Sequence, residues 1–360
     1  MSDFLEKSKD LHFSGDPKYK HFKNVFVTIA DMHKAKSYYN TDLHNIEEIL
    51  SILEMQQTLS GERKKRQFLR YITDVIHHFT PPVAPQDNTE WPEDWVGSLF
   101  SQKRWLPGYG YFVACLFNAT FTMTHLRQMH GYTSGPVVFE ESVGEVSYAV
   151  VTLNYDIVLE SICQYMNSTF NTKVGLTSFN SPEIRFRRAG DEYAEGGCNL
   201  SKLHGSVDSP AIIPPTWNKT LSRDIAQEWR IAYGALKDAN HIRILGYSLP
   251  VADSYVKYLL KSAVIETQNL KSLDIICRDS DGAVKRRYAE FIDYPKWRFI
   301  EDDIEKYLER IGDFAARGAL ATSSTTPSGH QLRSKAFNGV LEKAHADFFE
   351  EPRIQPVFER

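Results

Sequence analysis

Residues 241–250, HIRILGYSLP, read as an apolar strand that ends in a turn at Gly246; VADSYVKYLLKSAV (251–264) follows as a helix. The same texture recurs along the chain. VSYAVVTLNYD (146–156) is a β-rich apolar run closing in a polar turn before the helical IVLESICQYM (157–166). SLDIICRDSD (272–281) precedes the helical GAVKRRYAEFI (282–292), and a short strand around Trp297–Ile300 precedes IEKYLERIGDFAARG (304–318). Strands that alternate with helices, each with a polar turn at its carboxyl end, predict an α/β fold. The expected form is a Rossmann-like parallel sheet with helices on both faces and ligand sites along the carboxyl edge.

Outward from this core, the first 144 residues read as mostly helical. LHNIEEILSILEMQQ (43–57) places Leu43, Ile46, Ile49, Leu50 and Leu53 on one helical stripe, and KKRQFLRYITDVIHHF (64–79) repeats the pattern until Pro81 and Pro82 stop it. PPVAPQDNTEWPEDW (81–95) is rich in proline and acid and reads as a surface loop. GYFVACLFNATFTMTHLRQM (110–129) is apolar nearly all round and is expected as a buried helix. Residues 43–144 are therefore expected to form a large, mainly helical insert within a main domain of residues 1–315. ATSSTTPSGH (321–330) is poor in apolar residues, so 316–332 is expected as a linker and 333–360 as a short exposed tail.

The chain has 360 residues, 42% hydrophobic and 24% charged, ordinary values for a protein that buries a core. A formal net charge of −4 argues against general electrostatic nucleic-acid binding, which needs a marked Lys/Arg excess. The 18 tyrosines and 21 phenylalanines are expected in the core or at a subunit interface. Cys115, Cys163, Cys198 and Cys277 are far apart and form no C-x-x-C pair, which disfavours a structural zinc site and a disulfide framework. The start, MSDFLEKSKDLHF, has no apolar signal region, and a soluble cytoplasmic protein is expected.

Three segments can carry chemistry. Thr152-Leu153-Asn154-Tyr155-Asp156 sits at a strand end, where amide and carboxylate groups can hold ribose hydroxyls or position a water; Asn154 or Asp156 can equally cap the following helix. Lys202-Leu203-His204-Gly205-Ser206 offers a histidine with backbone room beside it, either a general base or a structural histidine in a turn. Gly246-Tyr247-Ser248-Leu249-Pro250 with Asp253 offers close backbone approach, a hydroxyl donor and a helix N-terminus, or simply an ordinary strand-to-helix turn.

In this order and spacing the three segments resemble the sirtuin-like superfamily, in which T-x-N-Y/F-D, K-L-H-G-S and G-Y-S-L-x-x-x-D turns line a shared NAD pocket. Ile213-Pro214-Pro215-Thr216-Trp217-Asn218-Lys219 and Asn45-Ile46-Glu47-Glu48-Ile49-Leu50 are similar to the bacterial defence-associated subgroup. The resemblance covers scattered blocks between residues 1 and 310. It implies NAD as substrate, Asn154 and His204 as the catalytic pair, and Thr152, Asp156, Gly246, Tyr247, Ser248 and Asp253 as cofactor-pocket or support residues, with no metal. It further implies a homo-oligomer acting in antiphage defence by depleting NAD. A separately encoded nucleic-acid-sensing protein, such as a HerA-type ATPase, is an expected partner.

Two departures refine this. The paired cysteines of protein-deacylating sirtuins are missing, which moves the expectation from deacylation toward NAD hydrolysis. The glycine-rich G-A-G-x-S loop that holds the NAD pyrophosphate in the superfamily has no counterpart in the sequence: Asn24–Ala30 is apolar but no glycine follows it. Met1–Leu5 is similar to the start of the helical segment that normally follows that loop, so about 15–30 residues, one strand plus one turn, are expected ahead of Met1. Lys18, Lys20, Lys23 and Lys34 are expected on solvated helix faces rather than as phosphate clamps. The rival readings are a catalytically impaired nucleotide-binding or scaffold subunit, which the missing loop favours, and an NAD-dependent protein deacylase.

Overall fold

A computed structural model describes residues 2–35, 46–61, 63–80, 82–85, 91–129, 131–141, 146–170, 183–188, 191, 197–208, 223–250, 253–266 and 269–350. Its helices are α1 (Ser2–Phe13), α2 (Phe22–Ala35), α3 (Ile46–Ser60), α4 (Lys64–Phe79), α5 (Trp95–Ser98), α6 (Leu106–Leu116), α7 (Val158–Phe170), α8 (Arg223–Asp238), α9 (Ser254–Glu266), α10 (Ala283–Phe291), α11 (Ile304–Gly318) and α12 (Val340–Glu350). Its strands are β1 (Thr120–Gln128), β2 (Gly131–Glu140), β3 (Ala149–Thr152), β4 (Asn199–Lys202), β5 (His241–Leu245), β6 (Ser272–Cys277), β7 (Trp297–Glu301), β8 (Leu320–Thr325) and β9 (Gln331–Ala336). The chain divides into two compact units: Met1–Pro82 with Val151–Val158 and Ser201–Arg230, and Val83–Val150 with Leu159–Leu200 and Ile231–Arg360.

The first unit is built on α1 to α4. Apolar residues at helical spacing, among them Phe22, Val25 and Ile29 of α2 and Phe68, Tyr71, Ile72 and Val75 of α4, close one core. The Tyr71 ring meets Phe22 edge-on at 4.8 Å, and its hydroxyl finds a buried partner in Ser8 Oγ at 2.7 Å. The apolar run 24–30 therefore lies inside a helix and is not an opening strand. Lys18, Lys20, Lys23 and Lys34 are all exposed, and Lys34 pairs with Asp31 at 2.9 Å.

The second unit is mixed α/β. Its parallel sheet has the order β5-β6-β7, with Ile244 beside Ile275 and Ile275 beside Phe299. The strand–helix alternation over residues 241–318 is as expected. β3 and β4 form a separate two-stranded sheet.

The expected helical insert needs correction. Helix α6 stops at Leu116, and residues 120–128 and 131–140 are two antiparallel strands with Phe121 opposite Phe139 and Met123 opposite Val137. The stop is a left-handed cap at Asn118 (φ 48). Asn118 N–H bonds the Cys115 carbonyl at 3.0 Å and Ala119 N–H bonds the Ala114 carbonyl at 2.9 Å, the double closure of a Schellman motif. Beyond it the sequence T-F-T-M-T alternates, with Phe121 and Met123 buried, which is a strand period rather than a helical one.

The linker and the tail also need correction. Residues 320–325 and 331–336 are β8 and β9, which complete an antiparallel sheet of order β2-β1-β9-β8. Helix α12 buries Val340, Leu341, Ala344 and Phe348, so 340–350 is not an exposed tail; residues 351–360 lie outside the described residues. A polar chain ties α11 and α12 to the parallel sheet. Arg298 of β7 grips Asp274 of β6 with two bonds of 2.7 and 2.8 Å, His345 Nε2 reaches Asp274 at 3.0 Å, and Tyr307 meets His345 Nδ1 at 2.8 Å.

Among the described residues no helix is long and apolar enough to cross a membrane.

Candidate functional site

Strand β3 delivers the turn 152–156 at its carboxyl end. The Thr152 hydroxyl accepts the Asn154 N–H at 3.0 Å, a side-chain closure that leaves Asn154 exposed. Asp156 Oδ1 accepts the Val158 N–H at 3.1 Å, so its carboxylate caps the start of α7 as the simpler alternative anticipated.

Strand β4 carries the second segment alongside. Leu203 N–H bonds the Thr152 carbonyl at 3.0 Å and Val207 N–H bonds the Tyr155 carbonyl at 2.9 Å. Both indices rise together, so the two stretches run parallel past the turn. Lys202 is 1% exposed. A buried ammonium is costly unless its hydrogens are used; here Lys202 Nζ donates to the Asp156 carbonyl and, at 2.9 Å, to Ser206 Oγ. His204 is 2% exposed, with its ring 6.1 Å from that of Tyr155. Gly205 (φ +82) turns the chain immediately afterwards, its N–H closing on the Lys202 carbonyl at 3.0 Å, a conformation that favours glycine.

Neighbouring helices fix this segment. Glu228 of α8 accepts the Lys202 N–H at 3.1 Å, and the Trp229 indole donates to the Leu203 carbonyl at 3.0 Å. His77 of α4 donates from Nε2 to the Val207 carbonyl at 3.2 Å. Lys202, Tyr155, Glu228 and His77 were not singled out from the sequence as site residues. Lys202→Met is expected to destabilise the fold by about 1–3 kcal/mol, because it strips a buried carbonyl and hydroxyl of their donor. A urea melt that does not move with this substitution would contradict the role given to the ammonium.

Residues 246–250 and Asp253 belong to the second unit. Gly246 has φ +69, and its N–H reaches the Ile276 carbonyl at 2.8 Å. A side chain there would stand 3.1 Å from Ile304 Cγ1. Leu249 is also left-handed (φ 51), a conformation costing a non-glycine residue about 1–2 kcal/mol. It is held because its side chain seats in the core of Ile275, Cys277, Val284 and Tyr288. Arg287 donates twice to the Ser248 carbonyl, at 3.1 and 2.9 Å, and Tyr288 donates to the Tyr247 carbonyl at 2.7 Å. The Tyr247 hydroxyl donates to Asp253 Oδ2 at 2.8 Å, while Asp253 Oδ1 accepts the Val256 N–H at 3.4 Å near the start of α9. Asp253 thus supports the turn and caps a helix.

Thr152, Asn154 and Asp156 are therefore brought together with Lys202, His204 and Ser206; Gly246, Tyr247, Ser248 and Asp253 form a second group. Residues 213–219 and Asn45 lie outside the described residues. Burial pushes all four thiols up, which leaves them protonated and unsuited to nucleophilic or thiolate chemistry. Among the described residues no cluster of three His, Cys, Asp or Glu is placed to hold a metal ion. A cavity of about 480 Å³ in the second unit is lined by Glu301, Asp302, Glu309 and Asp313 against Lys306 and Arg310, an acidic balance that disfavours a pyrophosphate.

No protein-family model matches the chain, and no curated protein matches it.

Proposed function

We propose that the chain is a sirtuin-like NAD hydrolase that cleaves the nicotinamide–ribose bond, on a Rossmann-like core formed by its strand–helix alternation. The observation that supports this most is the lacing of turn 152–156 onto segment 202–207. Two motifs about 50 residues apart are held side by side through Lys202 and by the Tyr155 and Val207 backbone, with His204 against Tyr155.

The chemistry needs positioning above all. Nicotinamide leaves as a neutral base from a cationic glycoside, so the transition state is oxocarbenium-like. Asn154 orients the ribose and the attacking water. His204 accepts a proton from that water or from a ribose hydroxyl. Water adds at the anomeric carbon as the carbon–nitrogen bond breaks, giving ADP-ribose, nicotinamide and one proton. The protein self-associates and works beside a separately encoded nucleic-acid-sensing partner in antiphage defence.

The second reading, an impaired nucleotide-binding or scaffold subunit, is favoured by one feature. The 360-residue sequence holds no glycine-rich turn for the pyrophosphate, and its early lysines are solvated. On this second reading, isothermal titration of NAD into the chain at micromolar protein shows no saturable heat. Tight binding would mean that other residues hold the two phosphate charges.

A further inference from the structure

Strand β8 (Leu320–Thr325) is exposed at every residue, on both faces, and Leu320 is 56% exposed. Its sequence, Leu-Ala-Thr-Ser-Ser-Thr, contains no charge and no proline. Outer strands present a row of free N–H and C=O groups and are normally blunted by charge, proline or a bulge. The other outer strands of the two larger sheets follow that rule: β2 carries Pro136 and Glu140, β5 carries Arg243, and β7 carries Arg298 and Glu301. β8 has none of these devices.

The hairpin geometry fixes which backbone groups face outward. Thr326 N–H donates to the His330 carbonyl at 2.8 Å, so the backbone N–H of position 326 faces the returning strand. Alternation along the antiparallel ladder then turns the backbone groups of Ser324, Thr322 and Leu320 toward β9. Those of Ala321, Ser323 and Thr325 point away from it.

We propose that β8 pairs antiparallel with β8 of a second copy of the chain, about a twofold axis at Ser323, joining two antiparallel sheets into one. A twofold pairing must be self-complementary, and this strand is. Ser323 meets its own copy, Ala321 meets Thr325, Thr322 meets Ser324, and no like charges face each other. The inference rests on the self-association part of the proposed function and is independent of the NAD chemistry.

Cross-linking and sedimentation of the full chain test it. The four native cysteines are buried, and a hydrogen-bonded antiparallel pair holds its Cα atoms about 5.5 Å apart, within disulfide reach. Ser323→Cys is expected to give a disulfide-linked dimer under mild oxidation, and Thr322→Cys much less of one. Ser323→Pro removes an outward N–H without touching the β9 ladder and is expected to weaken the dimer at least about tenfold in sedimentation. A wild-type chain that stays monomeric at every concentration overturns both the pairing and the self-association. A dimer that ignores Ser323→Pro and does not cross-link at position 323 overturns the β8 pairing alone. Equal cross-linking at 322 and 323 overturns the twofold at Ser323.

Discussion

Alanine at position 204 is expected to lower nicotinamide release about 10²–10⁴-fold, the usual cost of losing a positioned acid–base group. The measurement is made on the chain at millimolar NAD, so that weak pyrophosphate binding is not limiting. Because His204 is buried against Tyr155, the variant is assayed per folded molecule, with circular dichroism and a thermal melt alongside. Asn154→Ala sits on an exposed side chain, so it is expected to lose turnover with little change in melting temperature. A structural histidine would show the opposite pattern, lost stability with full turnover by the molecules that remain folded.

The largest stability effect is expected at Asp274. Its carboxylate is buried, bonded by Arg298 and His345, and linked through His345 to Tyr307. Removing one partner of a buried charge network commonly costs 3–5 kcal/mol. Arg298 is half exposed and keeps part of its hydration, so about 2–4 kcal/mol is expected for Asp274→Ala in urea unfolding. The hydrogen-bond pattern fits a neutral imidazole, with Nε2–H donating to Asp274 and Nδ1 accepting from the Tyr307 hydroxyl.

The pH dependence follows from the same groups. Burial alone would raise the Asp274 pKa, but the hydrogen bonds from Arg298 and His345 outweigh it and hold the carboxyl well below its usual range. Its stabilisation is therefore present above the unfolded carboxylate pKa, about 3.9, and is lost as pH falls through the lower folded value. Burial lowers the His345 pKa despite the Asp274 hydrogen bond. The unfolded chain then takes up the imidazole proton first, so stability declines as pH falls below about 6.5 and levels off once the folded imidazole is also protonated. Acid titration of the unfolding free energy is expected to show both declines. The upper one should shrink in His345→Gln, and an unchanged profile would contradict the network's role.

How much of this was legible in the sequence depended on how local the signal was. Helices α3 and α4 follow directly from apolar stripes, and the second stops at Phe79, close to where the sequence read its end. β5, β6 and β7 with their helices were legible for the same reason, since each strand, turn and helix is contiguous. The antiparallel sheet was not. Thr122 and Ser334 meet through their hydroxyls at 2.7 Å across 212 positions, and no window of sequence contains both. The polar run 320–325 reads as a linker because its outer edge is bare, and the apolar density of 110–129 hid the cap at Asn118 that turns a helix into a strand.

At the site the motifs were legible and their wiring was not. Thr152, Asn154 and His204 were picked out by residue type and spacing. That Lys202 is the buried cation joining the two turns, and that Asp156 and Asp253 serve as caps, depends on bonds between segments about 50 residues apart or on backbone conformation.

The most direct measurement is product analysis. The chain is incubated with millimolar NAD and an acyl-lysine peptide, and nicotinamide, ADP-ribose and peptide mass are followed together. The proposed chemistry predicts nicotinamide and ADP-ribose in equal amounts, an unmodified peptide, and no release above background in Asn154→Ala or His204→Ala. Loss of the acyl group from the peptide in step with nicotinamide release would assign the site to deacylation. Intact NAD with a folded protein would contradict cleavage at this site altogether.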